Sequence, residues 1–157
     1  MSEANRNLAA ALGRVPSGLY VLTARNGADE TGMLASWVQQ CSFDPPLLTV
    51  AVKRGRAIAE WLEAAPFVLN ILDEDQTDMV AHFGRGFDIG QPAFTDLEVD
   101  RSASAPILKE ALAYIECRTK SRQPAGDHDL FVCQVIGGKM LNDGKPMVHV
   151  RKSGLHY

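Results

Sequence analysis

Three cationic side chains, Lys53, Arg54 and Arg56, crowd the point where the strand-like "LLTVAVK" gives way to the helix-like "RAIAEWLEAA". A helix start offers unpaired backbone N–H groups and a partial positive charge, which together seat a phosphate. Basic side chains beside it add charge-assisted hydrogen bonds. Gly55 loosens the junction, and a solvated basic turn is the simpler alternative. A second group is "GDHD", Gly126 to Asp129. His128 between two carboxylates can be held in one tautomer and act as a proton donor or as a clamp on a polar ligand. A turn whose aspartates cap backbone amides explains the same residues. The third stretch is "GMLASWVQQCSFDPP", Gly32 to Pro46, which puts Ala35, Ser36, Gln39, Gln40 and Ser42, with Trp37 and Cys41, between two strand-like runs. Small and polar residues there make the backbone reachable.

Other chemistries lack their residues. His82, His149 and His156 stand at no metal-ligand spacing, so no metal site is expected. GxSxG and GxGxxG are both absent. Asp73, Glu74 and Asp75 sit at a strand-to-helix turn, where capping accounts for them. A net charge of −3 gives no footprint for nucleic acid. No apolar run approaches the ~20 residues of a membrane helix, and the N-terminus carries no secretory h-region. Three cysteines without a CxxC pair point to a reducing cytoplasm, with Cys117 and Cys133 as core thiols.

The elements that must position these groups are short. With 157 residues a single domain, 1–157, is expected. Leu8, Ala11, Leu12 and Val15 recur at helical spacing near the N-terminus. "GLYVLTAR" and "TGMLASW" read as strands joined by a hairpin turn at "NGADE". "LLTVAVK" reads as a strand buried on both faces. A helix follows with Ala57, Ile58, Trp61 and Leu62 on one side, and then the strand "PFVLNIL". "EDQTDMVAHFG" is a helix with Asp75 as its candidate N-cap. Residues 84–105 form a long irregular loop of the kind that carries function. "ALAYIECRTKSR", "HDLFVCQVIGGKML" and "KPMVHVRKSGLHY" are strand-rich. Five or six strands with few helices predict a mainly β barrel or sandwich.

Taken in order, "GMLASWVQQCSFDPP", "KRGRAI", "FVLNIL", "MVAHFGRGF", "GDHDLFVCQV" and "VRKSGLHY" resemble the flavin reductase-like family with its FMN-binding split β-barrel. "ASWVQQCSF", "ALAYIEC" and "RKSGLHY" are most similar to the reductase module at the C-terminus of cyanobacterial flavodiiron proteins. The sequence has no metallo-β-lactamase-like or flavodoxin-like stretch, so diiron chemistry is not carried over. The resemblance implies a six-stranded Greek-key split barrel with peripheral helices. It also implies a homodimer, FMN or less often FAD held without a covalent bond, and NADH or NADPH as electron donor. Ser36, Trp37 and Val38 would run along the isoalloxazine, Cys41 and Ser42 would offer hydrogen bonds to its pyrimidine end, and Ala35 and Gln40 are counted with them as cofactor-binding. Lys53, Arg54, Arg56 and Ala57 would hold the phosphate. His128 would lie near the flavin and the nicotinamide site. The implied activity is an NAD(P)H:flavin oxidoreductase, with a redox partner protein as one electron acceptor. An electron-carrier flavoprotein without a productive nicotinamide site and a split-barrel protein binding another ligand are the alternatives.

Overall fold

The computed structural model describes residues 1–157. Chain order is α1 (Glu3–Gly13), β1 (Ser17–Gly18), β2 (Tyr20–Asn26), β3 (Asp29–Ala35), β4 (Val38–Phe43) and β5 (Pro46–Lys53), then α2 (Ile58–Ala64), β6 (Phe67–Ile71) and α3 (Thr77–Gly84). It continues through β7 (Val99–Asp100), β8 (Ile107–Leu108), β9 (Ala113–Ala125), β10 (His128–Met140) and β11 (Val148–His149).

Seven strands form one antiparallel sheet in the order β3-β2-β6-β9-β10-β5-β4. The six-stranded expectation is one strand short. The stretch read as an interruption after Ala35 is itself a strand, β4, paired with β5 from Val38↔Val50 to Phe43↔Pro46. Alternation of β4 with exposed Gln40 and Cys41 hides it from a search for buried runs. Its register shifts at Cys41, so this residue is the extra one of a bulge. β3 and β4 are opposite edges of the sheet, yet only Ser36 and Trp37 separate them. The sheet must therefore curl until its edges meet at that dipeptide. No ladder joins β3 to β4, so the barrel stays split there.

Val50, Val52, Leu62, Phe67, Leu69 and Phe131 anchor the main core cluster. Cys117 and Cys133 lie fully buried in it. Burial pushes the Cys117 thiol up to about 12 and the Cys133 thiol up to about 11, so both are protonated and inert. A second cluster gathers Leu19, Val21, Leu72 and Phe83 under α3.

Several expectations need correction. β5 buries Leu48, Val50 and Val52, while Thr49 and Ala51 on its other face are only half-buried. That second face opens onto cavities. In α2, Ile58, Ala59 and Leu62 are buried and Trp61 packs at the core margin, but Ala57 is exposed. Asp75 does not cap α3, whose N-cap is Gln76. Asp73 organises that turn, accepting from Asp75 N at 3.0 Å while its own N–H donates to Gln76 Oε1 at 2.8 Å. Only Val148–His149 of the last strand-rich segment forms a strand.

The N-terminal helix also turns the other way. Leu8, Leu12 and Val15 are exposed, and Ala9 and Gly13 face inward. The reason is the C-terminal segment, whose Arg151 N–H donates to Gly13 O at 3.1 Å and Gly154 N–H to Ala9 O at 2.7 Å. Close backbone contact of this kind selects small residues on the helix.

Candidate functional site

β9 and β10 make a long hairpin whose two-residue turn is Gly126–Asp127, with Gly126 at φ 63°. β10 then pairs with β5 so that His128 lies directly across from Lys53. Two groups more than seventy residues apart thus become neighbours. Arg54 N–H donates to Asp127 O at 3.1 Å and locks the junction.

His128 is buried. Its Nδ1 meets Asp127 Oδ1 at 2.6 Å, and its Nε2 meets the Tyr157 hydroxyl at 2.9 Å. The hydrogen bond to His128 holds the Asp127 carboxyl below its ordinary value, so at neutral pH the carboxylate accepts from Nδ1–H. In the neutral imidazole Nε2 then accepts the Tyr157 proton. Burial raises the Tyr157 phenol, opposed by the charges of Arg56 and Arg151. The reading of His128 between two aspartates needs amending, because Asp129 turns away to accept from Arg122 at 2.9 Å and Arg54 at 3.2 Å.

Trp37 covers this assembly. Its ring lies 4.7 Å from His128 and 6.0 Å from Tyr157, centroid to centroid, and the Arg151 guanidinium stacks on it at 4.9 Å. A cavity of about 340 Å³ opens beside it. Ala35, Ser36, Trp37, Lys53 and Arg56, all singled out in the sequence, line that cavity. An open groove of about 620 Å³ shares Ser36, Trp37 and Ala51 with the cavity and adds Val38.

Other expected site residues lie elsewhere. Gln40, Cys41 and Ser42 continue along the edge strand and line neither space. Arg54 is committed to Asp129, and exposed Ala57 lines neither space. Conversely, Arg85 just after α3, and His149, Arg151 and Tyr157 from the C-terminal segment, line the cavity without any local signal in the sequence. The position of Arg151 and Tyr157 depends on α1 receiving the C-terminal backbone, a contact no local pattern encodes. No Asp or Glu lines the cavity.

The fold is thus a split antiparallel sheet with a cationic cavity at its seam that no carboxylate lines. Residues 12–154 match the model of the flavin reductase like domain, and the chain belongs to that family. Diflavin flavoprotein A 1 of Synechocystis is 39% identical over 161 residues, covering all of this chain and 28% of that protein. The chain spans about a quarter of the length of the curated relatives it matches. The Streptomyces globisporus NADH:FAD oxidoreductase SgcE6 superposes with a TM-score of 0.81 at 25% identity, over 90% of this chain and 85% of that one. The styrene monooxygenase flavin reductase of Pseudomonas putida gives 0.77 at 27% identity, over 90% and 91%. No helix is long and apolar enough to cross a membrane.

Proposed function

We propose that the protein is an NAD(P)H-dependent flavin reductase that holds FMN, or FAD, without a covalent bond and passes electrons to a downstream acceptor. The observation that carries this reading is the cavity, which joins the Ala35–Ser36–Trp37 backbone to Lys53 and Arg56 and excludes carboxylates. A flavin fits these residues. A flat ring needs small side chains where it approaches main chain, and its phosphate needs cations. When bound, the flavin supplies the hydride-accepting, electron-storing chemistry.

The chain's own residues bind and orient. Ala35 and Ser36 admit a ring close to the backbone, and Lys53 and Arg56 hold the phosphate. His128, fixed by Asp127 and Tyr157, lines neither the cavity nor the groove and acts through the Trp37 and Tyr157 rings that it holds against the cavity wall. Use of a nicotinamide donor is supported by SgcE6, named as an NADH:FAD oxidoreductase.

The direct test is anaerobic spectroscopy. Protein titrated with FMN develops a bound-flavin spectrum, and NADH or NADPH bleaches it within a turnover time. A bound flavin that stays oxidised under both nucleotides leaves the electron-carrier reading in its place. No flavin binding at all leaves a protein for another ligand.

The proposal includes a homodimer. Phe43 (92% exposed) and Val148 (69%) are large apolar residues uncovered in one chain, at an edge strand and beside the open groove. Sedimentation at twice the monomer mass is the expected result, and a monomer at micromolar concentration overturns it.

A further inference from the structure

The cations around the cavity are hydrogen-bond donors that cannot accept. Lys53, Arg56, Arg85 and Arg151 line it, the Trp37 indole adds another donor, and no carboxylate faces them. Phosphate oxygens suit such a wall, whereas a ligand hydroxyl or amide N–H does not. Tyr157 lines the same wall, and a phenol can accept or donate. Which of the two it offers is decided outside the cavity, by His128 and Asp127.

Each ring nitrogen of His128 has one partner. Nδ1 meets Asp127 Oδ1 at 2.6 Å, and Nε2 meets the Tyr157 hydroxyl at 2.9 Å. The imidazole side chain is 7% exposed, so an unpaired nitrogen has little water to turn to. Arg54 N–H holds the Asp127 carbonyl at 3.1 Å, which fixes the turn that presents the carboxylate. That carboxylate stays ionised and only accepts, so the ring proton sits on Nδ1. Nε2 is then a buried acceptor whose donor is the Tyr157 O–H. Leaving it unpaired carries its full desolvation penalty, more than Tyr157 gains by donating elsewhere. The Tyr157 proton therefore points at His128, and oxygen lone pairs are what remains toward the cavity.

We infer that Asp127 is a positioning residue: through His128 it fixes the Tyr157 hydroxyl as an acceptor. That acceptor takes a hydroxyl or amide N–H of the ligand and turns phosphate oxygens away from itself, toward the cations. The polarity of Tyr157 holds whatever the ligand, and its part in selecting ligands rests on the flavin reading.

NMR of the imidazole nitrogens reads the tautomer in the protein before any ligand is added, the His128 signal being assigned by its loss in His128→Gln. Wild type is compared with Asp127→Asn and Tyr157→Phe, after matching their melting curves. Asparagine keeps the shape of the turn residue but can accept or donate. In wild type at neutral pH, Nδ1 carries the proton and Nε2 resonates as an unprotonated nitrogen. Tyr157→Phe keeps that tautomer, and Asp127→Asn mixes the two. A protonated Nε2 in wild type overturns the inference, and so does a tautomer that follows Tyr157 and ignores Asp127.

Selection is read as the ratio of FMN to riboflavin affinity, because these ligands differ only in the phosphate. Asp127→Asn frees Tyr157 to donate, and it raises the ratio about fivefold more when Tyr157 is present than in the Tyr157→Phe background. This double-mutant cycle removes the effect on Lys53 of losing the Asp127 charge. Equal rises in the two backgrounds are a charge effect and overturn the inference. Failure of wild type to bind either flavin strikes the flavin reading, and the polarity of Tyr157 is then decided by the tautomer measurement.

Discussion

Replacing Lys53 and Arg56 together by alanine weakens FMN binding by about 100-fold and riboflavin binding by less than about threefold. The two ligands differ only in the phosphate, so their ratio isolates the contact with it. Each charge-assisted hydrogen bond is worth about 1.5–3 kcal/mol, and Lys53 and Arg56 are exposed, which favours the lower value. Two such contacts give about 3 kcal/mol, or two decades in affinity. Arg54 behaves differently although it lies between them. Its Nε donates to Asp129 Oδ1, and its side chain is 49% exposed. Arg54→Ala therefore leaves FMN affinity within about twofold and costs at most about 1 kcal/mol of stability. Flavin fluorescence quenching measures every constant. Equal losses of FMN and riboflavin in the double variant place the phosphate elsewhere, and a large FMN loss in Arg54→Ala returns the grip to the whole cluster.

That contrast shows what the sequence could and could not reveal. Lys53, Arg54 and Arg56 look equivalent along the chain, because spacing does not say which cation finds a carboxylate. The answer lies in β10, where Asp129 follows His128 and reaches Arg54 and Arg122. The alternation and turn residues of β2, β3 and the β9–β10 hairpin were legible, since each is a local pattern that packing reinforced. β4 was not, because an edge strand with polar side chains carries no buried run. Its role as a seam is a property of sheet order, and order is non-local. Ala35, Ser36 and Trp37 were legible as an accessible backbone, and in the structure they line the cavity. Gln40, Cys41 and Ser42 are expected at the flavin only through the family resemblance, and the edge strand carries them away from the cavity. The cavity's other wall comes from the end of α3 and from the C-terminal segment. Its C-terminal part is seated by α1, which turns Ala9 and Gly13 inward, against the apolar spacing of Leu8, Leu12 and Val15.

Gly13→Ala and Gly154→Ala test that last dependence, and both are expected to destabilise the protein by about 1–3 kcal/mol. For a glycine within a helix the usual expectation has the opposite sign, since alanine is favoured by up to about 1 kcal/mol. Sterics decide it here. A Cβ on Gly13 overlaps the Arg151 carbonyl oxygen and sits 3.2 Å from its carbon. One on Gly154 overlaps the Leu12 side chain and comes within 2.8 Å of Leu12 C and 2.9 Å of Gly13 N. Most of these neighbours are backbone and cannot rotate away, so the C-terminal segment must lift. Lifting it withdraws Arg151 from Trp37 and Tyr157 from His128, and two residues leave the cavity wall together. Urea melts give the stability loss, and tryptophan emission reports the uncovering of Trp37. The double variant should cost less than the sum of the two, because each already breaks the same contact. Wild-type stability with unchanged emission in both single variants would show that the segment does not depend on α1 for its seat. Additive losses would mean that the two glycines serve separate contacts.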